Sequence, residues 1–274
     1  NRRQFSRRLA AGTFSLLAAG RLAARASRAP LIKPPRLKKG DTVGLITPGS
    51  YIEDEELQKA VTNIESLGLR VKPGRHIRAV RGFTAGTDAE RLADLHAMFA
   101  DEQVAGIWCA RGGYGCSRLL PLIDYDLVAR HPKVFIGYSD ITALLQAFFR
   151  KTGLVGFHGP VGASDFTDYT RAQVTAVLME APPTHTIYAA AANLEKEAPA
   201  FQPRVLRPGR VRGPLAGGNL SLLAALTGTA YALPAAGRLL FIEDIGEKPY
   251  RIDRMLTQLR QAGDLHAAAG ITLG

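Results

Sequence analysis

The sequence predicts an α/β protein: an N-terminal parallel sheet with helices on both faces, then a smaller, incomplete C-terminal α/β domain. Three observations predict it. Short runs rich in Val, Ile and Leu alternate with segments of helical spacing from residue 42 to residue 149. The runs end at turns marked by glycine, proline or serine. After an irregular tract at 165–212, apolar runs and helical segments return and continue to the last residue.

The elements follow in order. Thr42-Val43-Gly44-Leu45-Ile46 reads as the first strand and stops at the turn Thr47-Pro48-Gly49-Ser50. Residues 55–67 carry Leu57, Val61, Ile64 and Leu67 on one side of a helix. A second strand begins at 68–71. Thr87 or Asp88 caps the next helix, which runs to about Phe99 with Leu92, Leu95 and Phe99 inward. Residues 104–110 form the third strand and 134–137 the fourth, followed by a helix over 141–149. In the tract at 165–212 we expect a helix and a crossover. Residues 213–220 read as a glycine-rich turn into a short helix at 220–226. A strand over 238–242, a helix over 251–261 and a last strand at 270–274 complete the chain. That last run reads as the middle of a strand, hence the expectation of an incomplete second domain. The divisions are a leader and linker (1–36), a first α/β domain (37–165), a connecting segment (166–212) and a second domain (213–274). No internal repeat is visible.

The net charge of +11 is concentrated at one end. Residues 1–40 hold 11 Lys and Arg and no acid; the rest of the chain has 24 basic residues against 24 acidic ones. Net charge therefore gives a nucleic-acid partner no support. The basic end has the layout of an export signal. Arg2-Arg3-Gln4-Phe5-Ser6 resembles a twin-arginine motif, an apolar stretch runs over 9–20, and Ala24-Arg25-Ala26 fits an A-x-A cleavage site. The stretch is shorter than the roughly 20 apolar residues of a membrane span, so no stable insertion is expected after processing. A periplasmic or exported protein is the expectation. The alternative is an amphipathic basic helix on a cytoplasmic protein. Cys109 and Cys116 are the only cysteines, without C-x-x-C spacing or a histidine cluster. Buried free thiols are expected, with a disulfide as the alternative, and no metal site or cofactor.

The chemistry gathers at strand ends, where parallel sheets bind ligands. Gly137-Tyr138-Ser139-Asp140 lies between a strand and a helix. A serine on such a turn presents Oγ clear of the backbone, and the amide of Asp140 at a helix N-terminus suits an oxyanion. The competing reading is a helix N-cap by Ser139 or Asp140. Arg111-Gly112-Gly113-Tyr114-Gly115 follows the third strand, where glycines let backbone amides approach an anion. It lacks the G-x-G-x-x-G spacing of a dinucleotide fingerprint. Asn219 is a capping or substrate-contacting residue. Glu243 and Asp244 end another strand; Glu247 and Asp253 read as partners of Arg251 and Arg254.

The ordered motifs RGGYG, GYSD, FHGP, GGNL and IEDIGEKPYRIDRML resemble those of the LD-carboxypeptidases (muramoyl-tetrapeptide carboxypeptidases), from about residue 38 to the last residue. The resemblance implies a homodimeric serine peptidase with a Ser-Glu-His triad between two domains. Such an enzyme needs no metal and releases the terminal D-alanine of peptidoglycan tetrapeptides by cutting an L,D bond. By motif, Ser139 matches the nucleophile and Glu243 the triad acid. The amides of Asp140 and of Gly112 or Gly113 match the oxyanion donors. Arg111, Tyr114, Asn219 and His158 are candidates for substrate contact, with loop packing the alternative for Arg111. The family's histidine lies beyond the last strand, in a Gly-His segment. None of His76, His96, His131, His158, His185 or His266 occupies that position. His158 is expected to shape the site or hold a strand end, with a substitute base as the lesser reading. A serine without its base is a poor nucleophile, so impaired activity of the chain as read is expected. Two alternatives remain: a non-catalytic muropeptide-binding protein, and a related peptidase acting on peptide-nucleotide antibiotics.

Overall fold

The structure, a computed structural model, describes residues 31–195, 203–263 and 265–274. The expected export segment falls outside the described residues. Five parallel strands form the larger sheet: β1 (Thr42–Ile46), β2 (Arg70–Pro73), β3 (Val104–Cys109), β4 (Val134–Gly137) and β5 (Phe157–His158). Their order is β2-β1-β3-β4-β5. The order reverses between β1 and β3, the switch point at whose carboxyl ends ligands bind in sheets of this kind. The smaller sheet is also parallel and contains β6 (Leu215–Asn219), β7 (Leu239–Glu243) and β8 (Gly270–Leu273), in that order.

The helices form where spacing and caps agree. α1 (Asp54–Glu65) and α2 (Asp88–Ala100) each begin with a capping box, Glu53 with Glu56 and Thr87 with Glu90. α1 turns Leu57, Ala60 and Ile64 inward, and α2 turns Leu95, Met98 and Phe99 inward. Two short helices, α3 (Cys116–Leu119) and α4 (Tyr125–Arg130), lie between β3 and β4. A 3-10 turn at Ser139–Ile141 leads into α5 (Thr142–Thr152), which ends on Gly153 in the left-handed region. The irregular tract contains α6 (Asp168–Thr175), a π turn at Ala176–Glu180 and α7 (Ala191–Leu194). α8 (Leu220–Ala225) and α9 (Pro249–Ala262) cover the small sheet.

Both faces of the large sheet are covered, as its apolar strands require. One face packs Phe135 against Phe99 and Phe148, with ring centroids 6.1 and 4.9 Å away. The other packs Leu45 and Trp108 against α1 and Phe166. A third core of Leu220, Leu223, Leu240, Ile242 and Leu259 holds the small sheet. The two sheets meet through α5: Gln146 Nε2 donates to the Gly217 carbonyl at 2.8 Å, and the Asn219 amide donates to Thr142 Oγ1 at 3.1 Å.

One expectation is corrected. Residues 213–220 are not a glycine-rich turn; β6 runs through Leu215–Asn219 and pairs with β7 along its length. A Cβ at Gly217 would lie 1.7 Å from the Phe241 carbonyl oxygen, and one at Gly218 would lie 2.6 Å from Thr142 Cγ2. Close backbone approach, rather than a turn, requires these glycines. Glu243 closes β7, at the strand end where the sequence puts it. Cys109 and Cys116 are buried free thiols, and no described helix is long and apolar enough to cross a membrane.

Phe135→Ala should destabilise the fold by about 3–5 kcal/mol, because it empties the centre of a packed aromatic cluster. Urea unfolding of the two proteins measures this.

Candidate active site

Three loops leave the carboxyl ends of β1, β3 and β4 and converge. The β4 turn carries Ser139 at φ 61°, one of two non-glycine residues with positive φ among the described residues. A serine held there is strained, and such strain recurs where a turn must aim a side chain. Ser139 is half-buried, and its hydroxyl has no hydrogen-bond partner among the described residues. It does not cap α5: neither the 3-10 turn nor α5 has a side-chain cap. Asp140 does not cap α5 either. Its buried carboxylate crosses to the β3 loop and accepts from the Cys116 amide at 2.8 Å. Burial pushes this carboxyl above its usual range, against the lowering effect of the Cys116 hydrogen bonds.

The β3 loop lies directly against Ser139. A Cβ on Gly112 would sit 3.0 Å from Ser139 Cβ and 3.3 Å from its Oγ. Gly112 therefore lies against the serine, and Gly113 follows it at φ 92°. The loop is fixed at its far end by Arg91, which is buried and donates to the carbonyls of Pro48 and Gly115 while pairing with Asp88. Sequence reading missed Arg91, because a charged residue at its position in α2 looks solvent-facing. Arg111 donates to the Tyr51 carbonyl at 3.0 Å and pairs with Glu56 at 3.3 Å, the loop-packing alternative. The Tyr114 ring is exposed and stands edge-on to Phe83, with centroids 5.4 Å apart.

The small sheet brings the candidate acid. Glu243 faces Asn219 in register across β6 and β7. Asn219 Oδ1 caps α8 by accepting from the Leu222 amide at 3.2 Å, the capping role the sequence favours. Asp244, the neighbouring acid, is taken up by Ser221, whose amide and hydroxyl donate to it at 3.0 and 2.7 Å. Glu243 Oε1, in contrast, is buried with no hydrogen-bond partner among the described residues. Burial, with Asp244 beside it, holds the Glu243 carboxyl above its usual range. Glu247 pairs with Arg251 at 3.5 Å, as expected.

His158 lies between the two sheets. It pairs with Gly137 in the β4–β5 register, and its ring is edge-on to Tyr138 and Phe241 at 6.3 and 5.5 Å. Its Nε2 is 3.5 Å from Glu243 Oε1, longer than a hydrogen bond. Nδ1 is buried without a partner among the described residues. Burial lowers the imidazole pKa to about 4, so His158 is neutral at pH 7 and the contact is not an ion pair. The sequence could not reveal this contact, which joins residues from different sheets. Beside Tyr138 and His158 opens a cleft of about 400 Å³, lined also by Pro160, Ser164, Tyr169 and Val174. Among the described residues, no group of three or more metal-ligating side chains forms.

Acid should act on His158 in a defined window. The unfolded imidazole takes a proton near pH 6.5 and the folded one only near pH 4. Stability is therefore full above pH 6.5 and falls as the pH drops towards 4, by up to about 3 kcal/mol. His158→Gln should lose less stability than the parent between pH 7 and pH 4.5, as measured by urea unfolding at both pH values.

The profile of the LD-carboxypeptidase N-terminal domain matches residues 43–159, and that of the LD-carboxypeptidase C-terminal domain matches residues 212–274. A probable murein peptide carboxypeptidase of Bacillus subtilis is 46% identical over 244 residues, covering 87% of this chain and 73% of the relative. The murein tetrapeptide carboxypeptidase of Pseudomonas aeruginosa is 38% identical, over 85% of this chain and 75% of its own length. Among solved structures, the MccF-like protein of Bacillus anthracis superposes with a TM-score of 0.76 at 30% identity, covering 89% of this chain and 80% of that one. A muramoyltetrapeptide carboxypeptidase from Oxalobacter formigenes gives 0.71 at 30% identity, over 85% and 76%. With both halves of the chain matched in order, and with such identities over most of its length, the protein belongs to the LD-carboxypeptidase family of serine-type carboxypeptidases.

Proposed function

We propose that this protein releases the terminal D-alanine of peptidoglycan tetrapeptides by cutting the L,D bond through an acyl-enzyme. The observation that carries the reading is Ser139: a strained, half-buried serine, its hydroxyl unpartnered among the described residues, pressed against a Gly-Gly loop. Ser139 Oγ attacks the carbonyl that precedes D-alanine. The amides of Asp140 and of Gly112 or Gly113 receive the developing oxyanion. D-alanine leaves with a proton from the base, and water then hydrolyses the ester. Glu243 orients the histidine base with the carboxylate oxygen that has no other described hydrogen bond. The cleft beside Tyr138 and His158 gives room for the stem peptide.

The choice of substrate is supported by the relatives. Those named for murein peptides match at 38% and 46% identity, whereas the microcin C7 self-immunity protein MccF of Escherichia coli matches at 27%. A second reading of the base has an observation behind it, since His158 is within 3.5 Å of Glu243. We favour a positioning role for His158, because a base with a pKa near 4 is a weak proton acceptor at neutral pH.

In the protein as its gene encodes it, Ser139→Ala should cut D-alanine release from a tetrapeptide by roughly 10,000-fold or more. His158→Ala should cost about tenfold on the positioning reading. Unchanged release by Ser139→Ala would overturn the mechanism, and equal losses in the two variants would make His158 the base. We also propose export by a twin-arginine route, supported by Arg2-Arg3 and the apolar stretch behind them. Replacing both arginines with lysine should keep the protein in the cytoplasm on cell fractionation; unchanged export would remove this reading.

A further inference from the structure

The turn after β1, Thr47-Pro48-Gly49-Ser50, has no role in the mechanism above, yet its last residue grips the Gly-Gly loop from both sides. The Ser50 amide donates to the Gly112 carbonyl at 3.1 Å. Ser50 Oγ accepts from the Tyr114 amide at 3.1 Å. The two bonds bracket Gly113 and fix the peptide units before and after it. Packing is as tight as the bonding. A Cβ on Gly113 would lie 2.2 Å from Ser50 Oγ, and one on Gly49 would lie 2.5 Å from the Gly112 carbonyl oxygen.

The orientation of one peptide follows. The Gly112 carbonyl and the Gly113 amide belong to the same trans peptide, so they point in opposite directions. With the carbonyl held on Ser50, the Gly113 N–H turns away from the β1 loop. The other side of Gly112 is occupied by Ser139, whose Cβ and Oγ are the side-chain atoms nearest to it. A flip of this peptide would put a carbonyl oxygen where a negative charge develops. Glycine at φ 92° resists such a flip little by itself, so something outside the loop must hold it.

We propose that Ser50 is a positioning residue for the reaction: its amide holds the Gly112–Gly113 peptide and its hydroxyl the Gly113–Tyr114 peptide, and together they lock Gly113 so that its N–H faces the oxyanion formed at Ser139. This rests on the carboxypeptidase reading, with Ser50 acting through the loop and not on the substrate. Losing the hydroxyl removes one of the two locks and leaves the ground-state complex intact. The cost therefore falls on kcat and not on KM.

The test compares Ser50→Ala and Ser50→Thr with the parent, all as the gene-encoded chain. Two readouts are taken: D-alanine release from a tetrapeptide, and amide hydrogen exchange at Gly113 and Tyr114. Ser50→Ala should lower kcat about tenfold with KM within about twofold, and should speed exchange at Tyr114 about tenfold. Ser50→Thr keeps the hydroxyl and should restore both. Parental exchange at Gly113 and Tyr114 in Ser50→Ala would overturn the lock, whatever happens to activity. A loss shared equally by Ser50→Ala and Ser50→Thr, or a rise in KM alone, would overturn it as well. A parent that releases no D-alanine would instead count against the carboxypeptidase reading, and the exchange measurement would still decide the role of Ser50.

Discussion

The close approach of three loops at the carboxyl ends of β1, β3 and β4 is the constraint on which the rest of this structure depends. Gly49, Gly112 and Gly113 stand where a single added carbon would meet backbone or side-chain atoms at 3.0 Å or less. A backbone this crowded has few conformations, and polar anchors hold it in one. Arg91 ties the β1 loop to the far end of the β3 loop, Asp140 ties the β4 turn to the start of α3, and Ser50 brackets Gly113. The anchors of Arg91 and Asp140 satisfy buried groups that would otherwise be left unpaired, at a cost of about 1–3 kcal/mol apiece. The strain of Ser139 at positive φ persists because the surroundings over-determine it.

The second half of the site depends on a different contact. β6 can approach α5 and β7 only because Gly217 and Gly218 lack side chains. That approach sets Asn219 beside Glu243 and leaves Glu243 facing His158 across the boundary between the sheets. Two adjacent acids are thereby separated in role. Asp244 is consumed by the start of α8, while Glu243 keeps a buried oxygen unpartnered among the described residues. Burial raises the energy of its charged form and disfavours protonation of the imidazole opposite, so the pair is poised by its environment and not by an ion pair.

Much of the fold was legible in the sequence, because it is encoded over short spans. The strand at 104–109 is a continuous apolar run, and α2 carries its capping box and its inward Leu95 and Phe99 within thirteen residues. β5 escaped notice because two residues carry no periodicity, and β6 escaped because its glycines look like a turn when their neighbours are unknown. The motifs at Ser139, Gly112-Gly113 and Glu243 were legible for the same reason as the strands: each is a local string at a strand end.

By itself, then, the sequence determined the alternation of strands and helices, the candidate residues at strand ends, and the family. The tertiary structure decided which of those residues meet. It set Ser50 on the Gly112–Gly113 loop, sent the Asp140 carboxylate away from its own helix, and gave His158 to Glu243. Such pairings depend on strand order and register, which bring together residues far apart in the chain. Local composition carries no record of that distance, so no window of sequence contains the contact.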